Sequence, residues 1–406
     1  MNTARTKIDD RGIMSSSNIK ISMIDPVGIK AGMDHYDLLL LSGLQNENYS
    51  VELFSNFSMQ EGPVNVYHQF FNTGVSKVSA ITSNFFGFIK ALRKSKKNHC
   101  DWIIVHVFRA GVFDLVTFTI ARLMGLRLCS IVHDIESLDT FTLPIVRKTV
   151  IGKLSNLRIV HNEFCKSELI KSFGTIIEST TICYPACAFP TSISPFSPCT
   201  RTLEQLKRSA HLPGSIHSML PGCMREKTPL FLFFGQIKKA KGLEILLEAI
   251  SQSTTDFKVI IAGKVRDDNW SRYEDIITVL NITDKVIPVI RHISDEERDY
   301  LFSISKAIVL PYTRIYQSGV LLMAMSFPKM VIASNLPPNA ELITHGKNGI
   351  LFPSEHADQL AAEMDGVIHG KYEEAHLDQQ AFEDIELHYS PQKIGELYRN
   401  VLLKHS

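Results

Sequence analysis

The chain has 406 residues, enough for two domains of ordinary size with buried cores. Hydrophobic residues make up 45% and charged residues 21%, the balance of a globular protein rather than of a disordered or fibrous one. The formal charge of +1 provides no global field to attract nucleic acid, so any basic surface is local and a nucleic-acid partner is not expected.

Residues 1–17 are polar, carrying Arg5, Lys7, Asp9, Asp10 and Arg11 without the apolar stretch of a secretory signal, and read as a disordered leader. Ile19 to Ile24 is a short apolar strand, Gly28 and Gly32 follow in a loop, and a helix from Asp34 carries Leu38 to Leu41. Val51 to Phe54 is the next strand. In residues 78–97, Val78, Ile81, Phe85, Phe86, Phe88, Ile89 and Leu92 form an apolar face, and Lys90, Arg93, Lys94, Lys96 and Lys97 crowd its end. Two readings stand: a core helix with a cationic C-terminal end, or an interfacial helix resting on anionic lipid. The apolar stretch Trp102 to Ala121 is interrupted by His106, Arg109 and Asp114. A membrane span needs roughly 20 mostly uncharged residues, so the stretch reads as strand, loop and helix, followed by a strand from Leu126 to Val132.

Ala186 to Pro229 is rich in Pro, Ser and Thr and marks the domain boundary. A second alternation of strand and helix begins at Leu230, with strands at Lys258–Ala262, Val286–Val289, Ala307–Leu310 and Val331–Ala333. Helices are expected at Gly242–Ser251, Asp295–Ile304 and Gly319–Ser326, and Pro391 to Leu403 forms an amphipathic helix able to pack back on either domain. The expected fold class is α/β with parallel sheets, divided into a leader (1–17), a first domain (18–225) and a second domain (226–406). The seven cysteines are scattered, and Cys183 and Cys187 lack the second pair or nearby His of a zinc set. Their loose spacing fits a reducing cytoplasm.

Ligands of open parallel sheets bind beyond the carboxyl ends of the strands, so the residues after each strand are the candidates. After Leu310 comes Pro311-Tyr312-Thr313-Arg314-Ile315-Tyr316-Gln317-Ser318-Gly319 and then a helix. Free N–H groups at a helix start attract anions, and Gly319 admits a phosphate, while Ser318 either binds it or simply caps the helix. After the strand ending at Phe234 come Gly235, Lys238, Lys239 and Lys241. Fixed cations there would stabilise a diphosphate leaving group without a metal; a solvated lysine loop is the alternative. In the first half His133 and Asp134 stand at a strand end, where His133 could bond a sugar hydroxyl and Asp134 act as base; a plain His-Asp turn is the alternative. The Gly28–Gly32 loop lacks the spacing of a dinucleotide fingerprint. Arg291 and His292 end another strand and could line a nucleotide pocket, and Glu341 precedes the turn His345–Gly349.

Together these segments resemble the group 1, or family 4, glycosyltransferases of the GT-B fold. The second half carries the family outline in order: FFGQIKKAKGLEILLEAI at 233–250, VIIAGKV at 259–265, SDEERDYLFSISKAIVLPY at 294–312, QSGVLLMAMSFPKMVIAS at 317–334 and ELITHGKNGILF at 341–352. The first half matches more loosely, through the Gly28–Gly32 loop, IVHDIE at 131–136 and IVHNEF at 159–164. The resemblance implies two Rossmann-like domains facing across a cleft and a metal-independent hexosyl transfer. Its donor is a UDP- or GDP-linked sugar, and no further cofactor is implied. It implies that Lys238 and Lys241 are the phosphate pair, Ser318 and Gly319 the diphosphate-binding helix start, His133 a contact to the donor sugar and Glu341 a carboxylate near the donor. The acceptor side is expected near Gly28 and Gly32. One departure is that the two Glu that many members place around this helix correspond here to Ile315 and Met323. The expected function is transfer of a hexosyl group to a glycan or lipid-linked glycan, in bacterial exopolysaccharide, capsule or cell-surface polysaccharide assembly, by a cytoplasmic enzyme at the inner membrane face. A nucleotide-sugar epimerase and a non-catalytic partner subunit are the alternatives.

Overall fold

The computed structural model describes residues 19–29, 32–46, 48–59, 64–70, 77–135, 143–174, 179–185, 228–266 and 269–405. The expected leader and the expected boundary at residue 225 lie outside these residues. The chain divides into two compact units: residues up to Val160 with Leu169–Ile182 and Ile394–Ser406, and His161–Glu168 with Cys183–Lys393.

The first unit is built on seven strands, β1 (Ile19–Ile24), β2 (Tyr49–Ser55), β3 (Asn65–His68), β4 (Trp102–Val107), β5 (Leu128–Val132), β6 (Leu157–Val160) and β7 (Thr180–Thr181). They are parallel and ordered β3-β2-β1-β4-β5-β6-β7. The central strands are apolar along nearly their whole length because helices can cover both faces of a parallel sheet. Helices α1 (Met33–Leu44), α2 (Lys77–Lys97), α3 (Val112–Leu123), α4 (Pro144–Arg147) and α5 (Glu163–Phe173) connect them. Helix α2 has a buried side and an exposed one. Phe88, Ala91 and Leu92 are buried, whereas Ile81 and Phe86 are 61% and 62% exposed. Lys94 turns inward and sets its ammonium over the Tyr67 ring at 3.1 Å, and Lys96 donates to Met124 O at 2.8 Å. Lys90, Arg93 and Lys97 remain exposed.

The second unit holds β8 (Leu230–Phe234), β9 (Lys258–Ala262), β10 (Val286–Val289), β11 (Ala307–Leu310), β12 (Met330–Ser334) and β13 (Ile350–Phe352), parallel and ordered β10-β9-β8-β11-β12-β13. Its helices are α6 (Leu243–Gln252), α7 (Trp270–Val279), α8 (Asp295–Ile304), α9 (Gly319–Met325), α10 (Pro337–Ala340), α11 (Ala357–Ile368) and α12 (Leu377–His388). Side chains alternate across the sheet, so Leu230 and Leu232 enter one core layer while Phe231 and Phe233 enter the other. The last helix, α13 (Pro391–Lys404), has its residues from Ile394 onward in the first unit. There Tyr398 and Tyr36 meet through their hydroxyls at 3.2 Å, and the Arg399 guanidinium bonds the Gly43 carbonyl. Among the described residues no helix is long and apolar enough to cross a membrane.

Candidate active site

Strand order reverses between β8 and β11 in the second sheet and between β1 and β4 in the first. These reversals open a crevice beyond the strand ends, where open α/β sheets bind ligands.

In the second sheet, the loops after β8 and β11 are laced together. Thr313 N donates to Ala240 O at 3.1 Å. Gly242 adopts φ +65°, and a Cβ there would lie 1.9 Å from Pro311 O, so only glycine lets the two backbones approach. The short turn Lys239–Lys241 precedes it. This geometry sorts the three lysines: Lys239 is exposed, while Lys238 and Lys241 are half-buried. Lys241 Nζ lies 3.7 Å from the centroid of the Tyr312 ring. Ser318 Oγ in turn donates to Tyr312 Oη at 3.5 Å and accepts from Leu321 N at 3.0 Å. Ser318 is therefore the N-cap of α9, as its plain reading held, and its hydroxyl is buried. Gly319 beside it is exposed, and a Cβ added there meets nothing within 4 Å, so the backbone is open to a ligand. Tyr312 thus ties the lysine loop to the helix start. Gly235, directly after β8, stands at the same sheet edge. Ile315 and Met323 are half-buried and extend the apolar core where a carboxylate pair was absent from the sequence.

Two other candidates have structural partners. The Arg291 fork pairs with Glu297 through two contacts of 2.7 Å, and Glu297 is the N3 residue of the Ser294 capping box of α8. Glu297 raises the Arg291 pKa further above its usual value. The two oxygens of Glu341 accept the N–H groups of Glu163 and Phe164, each at 2.8 Å, at the start of α5. A carboxylate at a helix N-terminus is favoured by the helix dipole and by the unpaired N–H groups.

In the first sheet, Asp25 follows β1, His106 lies next to the end of β4, and His133 follows β5. Because β1, β4 and β5 are neighbours, these residues meet. His106 Nδ1 lies 2.7 Å from His133 Nε2, and His106 Nε2 lies 2.8 Å from Asp37 Oδ1 of α1. Phe108 stacks on His133 with centroids 4.4 Å apart, and Tyr36 stands edge-on to both imidazoles. Burial pushes Asp25 up to about 7 and Asp37 well above the carboxylate range, and it lowers His106 to about 4. Asp134 is half-buried beside this group. Asn56 braces the Gly28 loop, accepting from Ile29 N and donating to Val27 O, whereas Gly32 caps α1 at φ +73° and a Cβ added there meets nothing within 4 Å. Sequence reasoning placed His133 and missed Asp25, Asp37, His106 and Tyr312. For Asp25 and His106 the available signal was a polar residue at or next to the end of an apolar strand, whereas Asp37 lies within α1 and carries no such signal.

The family model described as "Glycosyl transferases group 1" matches residues 224–384. A search of curated sequences gives no match. Among solved structures, Anabaena HepE in complex with UDP-glucose is similar over 95% of this chain and 100% of its own, with TM-score 0.71 and 16% identity. Sucrose-phosphate synthase from Thermosynechococcus elongatus is similar over 95% of this chain and 100% of its own, with TM-score 0.72 and 16% identity. The lipopolysaccharide outer core galactosyltransferase WaaB covers 96% of this chain and 100% of its own, with TM-score 0.62 and 14% identity. Residues 224–384 thus match the group 1 glycosyltransferases, and the chain as a whole carries the GT-B fold.

Proposed function

We propose that the protein transfers a hexosyl group from a nucleotide-diphosphate sugar to a glycan or lipid-linked glycan, without a metal ion. The observation that carries this reading is Tyr312, which joins half-buried Lys241 to the capped start of α9, with Gly319 open beside it. Lys238 and Lys241 would neutralise the charge that grows on the departing diphosphate, and backbone N–H groups at Gly319 would receive a phosphate oxygen. His133 would bond a hydroxyl of the donor sugar, with Asp134 handling the acceptor proton. The HepE complex with UDP-glucose favours a uridine donor over a guanosine one. The acceptor would approach along the Gly28–Gly32 loop.

Ile81 and Phe86 are exposed apolar side chains on α2, the helix that also exposes Lys90, Arg93 and Lys97, and Val112, Val116 and Leu123 of α3 are exposed as well. That combination suits a peripheral contact with an anionic membrane face and hence a lipid-linked acceptor in cell-surface polysaccharide assembly.

The test is a thermal-shift screen of the full chain against UDP, GDP and their common sugars. A selective rise is expected for one nucleotide, since a ligand at 100 times its Kd stabilises by about 2.7 kcal/mol. A flat response to every nucleotide would support the second reading, a non-catalytic partner subunit, which the apolar Ile315 and Met323 favour.

A further inference from the structure

Asp25 and Asp37 are both fully buried, with 0% exposure. Asp25 accepts two backbone N–H groups, from Val27 at 2.9 Å and from Gly28 at 2.7 Å. Asp37 Oδ1 is taken by His106 Nε2, while Asp37 Oδ2 is buried without any N–H or O–H donor. The neighbouring carboxyl group is that of Asp25, donor atoms of Asp25, Asp37 and His106 lying within 4.8 Å of one another. Two carboxyl groups can bond each other only with a proton between them, and two bare carboxylates in a fully buried site would repel strongly.

We propose that one proton bridges Asp25 and Asp37 and fixes the tautomers of the two imidazoles, so that His133 holds its proton on Nε2 and its lone pair on Nδ1. The assignment follows atom by atom. With the shared proton on the Oδ2 side of Asp37, Oδ1 is an acceptor whichever carboxyl formally owns the proton. His106 must then donate through Nε2–H. Burial keeps His106 neutral near pH 7, so its Nδ1 carries a lone pair. At 2.7 Å that lone pair requires a proton on His133 Nε2. Whatever meets His133 Nδ1 must therefore be a donor. If the transferase reading above holds, that donor is a hydroxyl of the sugar rather than a phosphate oxygen. Asp37 and His106 act through His133 and are positioning residues.

The groups facing this chain from the surrounding elements fit the assignment. Asp34 on α1 adds a like charge that further disfavours ionised Asp37, and Tyr36 and Phe108 close the imidazoles in with aromatic rings. Donor atoms of Asp25, Asp37 and His106 lie within 4.8 Å of one another, close enough for a cation to be considered. Protons are favoured because the oxygens of Asp25 already accept two N–H groups. A cation would also have to part His106 from Asp37.

The test is NMR of the full chain labelled with ¹⁵N-histidine at neutral pH, with His106 and His133 assigned by their loss in His106→Gln and His133→Gln. The expected result is a protonated Nε2 and a bare Nδ1 on both rings. In Asp37→Asn the carboxamide supplies an N–H toward Asp25 and an oxygen toward His106, so the His133 pattern should persist. Asp37→Leu should abolish it. If Asp37→Leu does not fold, the wild-type resonances decide alone. A His133 protonated on Nδ1, a doubly protonated His133, or a stoichiometric divalent cation in the purified protein would each overturn the proposal. The readout needs no activity, so a protein with these tautomers that binds no nucleotide sugar would refute the proposed function and leave this inference standing.

Discussion

The two sheets reverse their strand order in the same manner and use the resulting position in opposite ways. Beyond β1 and β4 the first sheet gathers Asp25, Asp37, His106 and His133 into a chain closed off by Tyr36 and Phe108. Beyond β8 and β11 the second sheet gathers half-buried lysines, an exposed glycine and a tyrosine that spans them. Topology decides where polar residues collect, and burial decides their chemistry. Carboxylic acids shielded from water hold protons, whereas lysines left partly wet can meet an anion.

The largest expected effect breaks the second site through its backbone. Gly242→Ala places a methyl group against the Pro311 carbonyl in a left-handed conformation, and should cost about 3 kcal/mol or more. Urea unfolding measures the loss, and nucleotide binding should fall with it. Lys241→Ala leaves the backbone intact and should weaken nucleotide-diphosphate binding by about 10- to 100-fold, the worth of a charge-assisted contact. On the other sheet, His106→Leu severs the buried chain. It should lower kcat by about 10-fold or more with little change in donor KM, whereas Asp37→Asn should retain most of the rate.

A subtler contrast concerns pH. Asp25 is raised from 3.8 to about 7, so its contribution to stability is full below about pH 4 and is lost as pH rises through 7; Asp37 acts in the same sense. His106, lowered from 6.5 to about 4, acts oppositely and removes stability as pH falls from 6.5 toward 4. The two trends offset each other in the wild type. The Tm deficit of His106→Leu should therefore shrink as pH falls from 7 to about 4.5, and a deficit that grows would contradict the assignment. The smallest effect is expected at Arg291, whose fork is paired with Glu297 on a partly exposed corner. Arg291→Ala should cost about 1 kcal/mol or less and leave nucleotide affinity unchanged.

Much of the second site could be read from the chain because its parts follow strands whose apolar runs are plain. The loop from Gly235 to Gly242 and the Ser318–Gly319 helix start each lie within a few residues of a strand end. Their lacing through Tyr312 and Pro311 could not be read, since it depends on β8 lying beside β11. The buried chain of the first sheet was harder. Asp25, Asp37, His106 and His133 are far apart in sequence and meet only because β1, β4 and β5 are adjacent. Strand order is not written in local periodicity. Arg291 and Glu341 show the opposite case. Their positions suited a ligand, but a capping box and a helix start had first use of their charges. For α13 the amphipathic pattern was visible, yet it takes the contacts of Tyr398 with Tyr36 and of Arg399 with Gly43 to reveal which unit it joins.

The most direct measurement is calorimetric titration of the full chain and of Lys241→Ala with UDP and UDP-glucose. The account predicts saturable binding to the wild type and at least about tenfold weaker binding to the variant. Equal affinity in the two proteins would contradict the placement of the donor diphosphate at the lysine loop and the start of α9.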